Sequence, residues 1–137
     1  MPFGILTPTL IGRANFGTLA LFMSERPKKI AARFYEAPTG RRPVRDWILG
    51  LSDDDRRLVG RDIQKVEFGW PLGMPYCRPL GHGLWEVRSD LTGGRIARVI
   101  FFIKDGETVL LHAFEKKTQK TPDREIDMAL KRKREVE

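Results

Sequence analysis

The sequence predicts an α+β domain: a helical hairpin laid on one face of an antiparallel sheet, with a separate helix at the C-terminus. Three stretches carry that expectation. Residues 84–117, LWEVRSDLTGGRIARVIFFIKDGETVLLHAFEKK, hold three β-runs joined by two Gly-containing turns. Residues 43–69 hold two helical apolar patterns in succession, and residues 121–134 hold a third. Alternation marks the first kind of element and i, i+3, i+4 spacing the second.

The three β-runs are Leu84–Ser89, Arg95–Lys104 and Thr108–Glu115, and LTGG and KDGE supply the Asp/Gly chemistry of tight connections. They form an antiparallel meander. Successive side chains on a strand point to opposite faces. If the strands pair in register, one face is wholly apolar, with Trp85, Val87, Val99, Phe101, Val109 and Leu111. The other carries Glu86, Arg88, Arg98 and His112, the last beside Leu110 and Phe114, with Lys116 and Lys117 at the strand end. A slip of one residue would scatter this charged set.

The remaining elements follow in order. Residues 1–23 are apolar, broken by Gly, Pro and Thr, and nearly uncharged, whereas SERPKK begins an ordinary soluble composition. Residues 1–22 are therefore expected to be a poorly ordered extension outside a domain of residues 23–137, with Met23 the more natural first residue. No run reaches the roughly 18 apolar residues of a membrane span, so no membrane partner is expected. Lys29–Tyr35 reads as a first strand and EAPTGRRP as a loop. Pro43 opens a short helix with Val44, Trp47, Ile48 and Leu51 on its apolar side. Ser52 caps a second, whose acidic first turn, Asp53, Asp54 and Asp55, suits the positive helix end. Leu58, Val59, Ile63, Val66 and Phe68 face its core, and Gly69 stops it. A Gly/Pro-dense loop with a short strand around Tyr76–Leu80 leads into the meander. Thr121 is the expected N-cap of the last helix and Pro122 its first residue, with Ile126, Ala129 and Leu130 as its stripe.

A net charge of +7 and a pI near 9.9 point to a polyanionic partner. The single cysteine, Cys77, excludes an internal disulfide and fits a reducing, cytoplasmic location. Two histidines thirty residues apart, with no Cys beside them, give no basis for a metal site, and no cofactor is expected. Nucleotide-binding, zinc-protease and serine-hydrolase motifs are absent from the sequence. What remains is a sheet face of arginines, lysines and a histidine. Such a set suits phosphodiesters, because a guanidinium fork pairs with two phosphate oxygens at once. It also suits metal-free RNA cleavage, where a base deprotonates the 2′-hydroxyl, cations stabilise the phosphorane, and an acid protonates the leaving 5′-oxygen.

Several segments resemble the signature of HigB-like toxins, the phage-related branch of the RelE/ParE superfamily. They are GLWEVR at 83–88, Gly94-Arg95 followed by Arg98-Val99, LLHAFEKK at 110–117 and TPDREIDMA at 121–129. PLG at 79–81 and the Phe-Tyr pair at 34–35 also match, so the likeness spans residues 29–134. It implies a RelE/ParE-like fold: an N-terminal helical hairpin packed on a strongly twisted antiparallel sheet, with a C-terminal helix. It also implies the toxin of a type II toxin–antitoxin pair, cleaving mRNA on the ribosome without a metal. The implied partners are a helix-turn-helix, HigA-like antitoxin, the ribosome and mRNA, and operator DNA indirectly through the antitoxin.

Carried onto this chain, the resemblance makes Arg88 and Arg98 the residues that hold the scissile phosphate. Lys116 and Lys117 match the basic residues after the last strand, and His112 falls at a consistent position, which completes the expected catalytic set. Glu86, His82, Arg95, Phe114 and Lys120 form the expected RNA-binding set, with Phe114 placed to stack on a base. The general base stays open among His112, His82, Glu86 and a lysine. The chain lacks a tyrosine near the C-terminus, which some RelE relatives use for positioning or catalysis. Two other readings accompany this one: a non-enzymatic ParE-like inhibitor of DNA gyrase, and an inactive member that only binds its antitoxin.

Overall fold

The computed structural model describes residues 30–71, 77–116 and 120–137. The extension expected at residues 1–22, and Lys117, lie outside them. Five strands and three α-helices are present among the described residues. They are β1 (Ala31–Phe34), α1 (Pro43–Leu49), α2 (Asp53–Gly69), β2 (Cys77–Gly81), β3 (Leu84–Asp90), β4 (Ile96–Lys104), β5 (Glu107–Lys116) and α3 (Asp123–Val136). None of these helices is long and apolar enough to cross a membrane.

Local chemistry starts and stops them. Pro43 stands in the first turn of α1, where its missing N–H costs nothing. Ser52 caps α2 by accepting from the Asp55 amide at 3.2 Å. The β4–β5 turn places both Asp105 (φ 50°) and Gly106 (φ 76°) in the left-handed region, which matches the twist of a two-residue hairpin. The β2–β3 hairpin turns through Gly81, His82 and Gly83, all with positive φ.

The strand order is β1-β5-β4-β3-β2, and the sheet is mixed rather than wholly antiparallel, because β1 runs parallel to β5. The helical pair therefore follows a strand instead of opening the fold. The cause is connectivity. The loop and two helices after β1 carry the chain to β2 at the far edge, and the β2–β5 meander then returns it to lay β5 parallel beside β1.

Two apolar layers sandwich the sheet. On one face α1 and α2 bury Val44, Ile48, Val59, Ile63 and Val66 against Val87, Ala97, Val99, Phe101, Leu110 and Ala113. On the other, α3 sets Ala129, with Ile126 and Leu130 beside it, against Leu84, Ile100, Phe102, Val109, Leu111 and Phe114. The expected alternation along β5 therefore fails in its middle. Ile100 pairs with His112 but Phe101 pairs with Leu110, so Leu111 is an extra residue in a bulge. The bulge moves Val109 and Leu111 to the α3 face and gives Leu110 to the face of α1 and α2.

Asp55 does more than balance the helix dipole. It is buried, and it accepts from the Thr92 amide and hydroxyl, both at 3.0 Å, and from the Arg95 guanidinium. It thus ties the start of α2 to the β3–β4 turn, while Asp53 and Asp54 stay exposed beside Arg56 and Arg57. Burial alone would raise its pKa, but the Thr92 and Arg95 hydrogen bonds outweigh it and hold the carboxyl below its ordinary value. Asp55→Ala should therefore cost about 2 kcal/mol at neutral pH in urea denaturation. The depressed pKa gives stability that is complete above the unfolded value of about 3.9 and lost as pH falls through the folded one. The gap between wild type and variant should accordingly close in acid.

Candidate functional site

The β3–β4 register sets Arg88 directly opposite Arg98. Like charges so placed repel, and each arginine is drawn to a carboxylate of β3. Arg88 pairs with Asp90 at 3.1 Å, and Arg98 pairs with Glu86 at 3.2 Å. Glu86 is wholly buried and is the hub. Its Oε1 also accepts from Arg78 Nη2 at 3.2 Å and lies 3.9 Å from Lys116 Nζ. Its Oε2 accepts from the Thr121 hydroxyl. Thr121 thus serves the buried carboxylate rather than capping α3, whose cap position falls one residue later, at Pro122. A desolvated carboxylate needs donors more than a solvent-facing helix end does.

Lys116 ends β5 opposite Ile96 and so falls on the same face. Its side chain is 1% exposed, and among the described residues its ammonium has no hydrogen-bond partner. Burial lowers its pKa first; Arg98, Arg78 and Arg88 push it further down, and Glu86 partly opposes them. Arg98 is shifted down as well, by burial foremost and by the same neighbouring arginines. Three cations, Arg78, Arg98 and Lys116, thus converge on the single carboxylate of Glu86. Among the described residues the cations of this site, Arg78, Arg88, Arg98 and Lys116, outnumber its carboxylates, Glu86 and Asp90, and a cationic site attracts an anion.

His112 stands apart from this cluster. Its Nε2 lies 2.6 Å from Glu125 Oε1 and its Nδ1 3.3 Å from Arg132 Nη1, both on α3. Since Arg132 can only donate, the fitting tautomer is neutral, with the proton on Nε2. Burial is the main cause lowering its pKa; the Glu125 hydrogen bond opposes it and the Arg132 charge adds to it. A histidine with a lowered folded pKa contributes stability above the unfolded value of about 6.5 and loses it as pH falls. Stability should drop between about pH 7.5 and about pH 5.5, and less so in His112→Gln. Urea midpoints at the two pH values would show this.

The other expected residues divide clearly. Phe114 pairs with Arg98, but it is 8% exposed and stacks on the His112 ring at 5.6 Å, inside the α3 layer. Arg95 is turned to the α2 side, held by Asp55 and by Glu115 at 3.2 Å. His82 is exposed at the β2–β3 turn, outside the strand that carries Glu86. Lys120 is exposed next to Thr121. Glu86, Arg88, Arg98 and Lys116 are thus brought together.

Arg78 and Thr121 join them without having been anticipated. A signal for Arg78 was present: in a hairpin centred on His82, Arg78 lies opposite Glu86. Thr121 had no such signal, because its role comes from the docking of α3.

Fold and site together define a small α+β domain with a cationic sheet end suited to phosphate. Residues 46–134 match the family described as Phage derived protein Gp49-like (DUF891), and the chain belongs to it. This is a RelE/ParE-like toxin family of type II toxin–antitoxin systems, which makes an antitoxin the corresponding partner. No curated protein matches the chain.

Proposed function

We propose that this protein is the HigB-like toxin of its pair, a ribosome-dependent, metal-independent mRNA endonuclease acting in the cytoplasm. The observation that carries the reading is the excess of cations around Glu86, above all the ammonium of Lys116, buried and unbonded among the described residues, beside Arg98. Arg88, the most exposed member, and Arg98 behind it grip the scissile phosphate. Lys116, whose ammonium lies near the Glu86 carboxylate that also holds Arg98, stabilises the charge that develops on the phosphorane. A general base takes the 2′-hydroxyl proton, the 2′-oxygen attacks phosphorus, and the bond to the 5′-oxygen breaks as that oxygen takes a proton from a general acid or from water. A 2′,3′-cyclic phosphate and a 5′-hydroxyl remain. His112, with both nitrogens engaged, orients α3 instead. The ribosome supplies substrate geometry, so the free protein is a poor nuclease. A helix-turn-helix, HigA-like antitoxin neutralises it and links it to operator DNA.

The test is induction of the full chain in cells lacking the antitoxin, beside Arg98→Ala, with primer extension on an abundant mRNA. Growth arrest with new 5′ ends is expected, reduced about a hundredfold or more in the variant. Arrest with intact mRNA would move the reading to gyrase, and no arrest with soluble protein to an antitoxin-binding member.

A further inference from the structure

The two carboxylates of β3 on the cationic face differ in kind. Glu86 is wholly buried and bound by Arg78, Arg98 and Thr121, so it is fixed in place. Asp90, four residues along the same strand and on the same face, keeps 74% of its side chain exposed. Its Oδ1 accepts from both Nε and Nη2 of Arg88, each at 3.1 Å. Those two nitrogens form one of the paired edges by which a guanidinium takes two oxygens of a phosphate. Here that edge is given to a single carboxylate oxygen.

The pair does little for the fold. Its members already share a strand, and an exposed ion pair contributes little to stability. Its placement bears on the site instead. Arg88 lies opposite Arg98, and Asp90 lies opposite Ile96, whose neighbour on β5 is Lys116. Asp90 thus stands at the end of the cross-strand row that holds Lys116, beside the row that holds both arginines. An anion that meets Arg98 and Lys116 comes within reach of Arg88, and there it competes with Asp90 for the same edge.

We propose that Asp90 is a displaceable gate on the phosphate grip, holding the Arg88 fork until a phosphodiester takes the fork from it. The proposal rests on the RNA reading of the site. The exchange weakens binding, because one ion pair breaks for each that forms and the freed carboxylate faces the incoming phosphate. It also filters. An anion that does not engage Arg98 and Lys116 as well leaves Arg88 with Asp90.

The probe is a fluorescein-labelled 2′-O-methyl hexaribonucleotide, which lacks the attacking hydroxyl, titrated into the full chain at low salt and read by anisotropy. Asp90→Asn keeps the side-chain shape without the charge, and should tighten binding about two- to fivefold. In an Arg88→Gln background the same substitution should lose most of that gain, because the fork it guards is gone. Arg88 and Asp90 are both exposed, so these variants should fold. Asp105→Asn removes an exposed charge at the β4–β5 turn, where Asp105 pairs with Lys104, and controls for net charge. It should change affinity less than Asp90→Asn does. A gain matched by Asp105→Asn, a gain that persists in full without Arg88, affinity unchanged or weakened by Asp90→Asn, or no binding by any form would each overturn the gate. The activity reading is judged separately, by the mapped 5′ ends in cells. A gate with intact mRNA keeps Asp90 as a control on anion binding and removes the endonuclease; cleavage with affinity unchanged by Asp90→Asn does the reverse.

Discussion

Glu86→Ala should be the most destabilising single change in the described part of the protein, costing about 3–5 kcal/mol in urea denaturation at neutral pH. The side chain has no solvent exposure and gathers Arg78, Arg98, Lys116 and Thr121. Its loss leaves Arg98 and Lys116 buried without the carboxylate they share, and uncompensated charge is far costlier than a lost contact. Two features distinguish this from a simple cavity effect. Sulfate or phosphate should restore part of the stability, because an anion can enter the vacated position and binds only the folded state. Adding Lys116→Met should recover part as well, since the double variant carries one buried charge fewer. A loss untouched by anions and additive with Lys116→Met would mean that packing, not charge, sets the cost.

How much of this arrangement was legible in the sequence depends on the range of the interaction. Local signals were reliable. The alternation in LWEVR and IARVIFF, read about the intervening LTGG, places Arg88, Glu86 and Arg98 on one face, and these strands pair in that register. Pro43 and Ser52 mark helix starts for reasons contained within one turn of chain. The failures are all long-range. The Leu111 bulge leaves no mark on the apolar run VLLHAF, yet it reverses which residues of β5 face α3. Parallel pairing of β1 with β5 depends on the path of the whole intervening chain and not on its four residues. Asp55 looked like one member of an acidic triplet, and its role comes from Thr92 and Arg95, 37 and 40 residues away. Thr121, likewise, is 35 residues from the carboxylate it serves. Polar residues with local explanations were read locally, and tertiary contacts then claimed them.

Lys116→Met should separate function from stability most sharply. Cleavage in cells is expected to fall about 10²–10³-fold, the usual cost of removing one group that meets developing charge on the reacting phosphate. Stability, by contrast, should rise by about 1 kcal/mol. The sign follows from linkage. The folded pKa of Lys116 lies below its ordinary value, so folding disfavours the charged form. That penalty is complete below the folded pKa and disappears as pH rises through it toward the unfolded value of about 10.4. Methionine is an unbranched side chain of similar reach without an ammonium, and Glu86 keeps Arg78, Arg98 and Thr121. If the variant were instead less stable, attraction to Glu86 would outweigh desolvation and Lys116 would be a structural counter-ion. A variant that is both more stable and inactive leaves one explanation: the charge is held at a cost to the fold because an anion must meet it there.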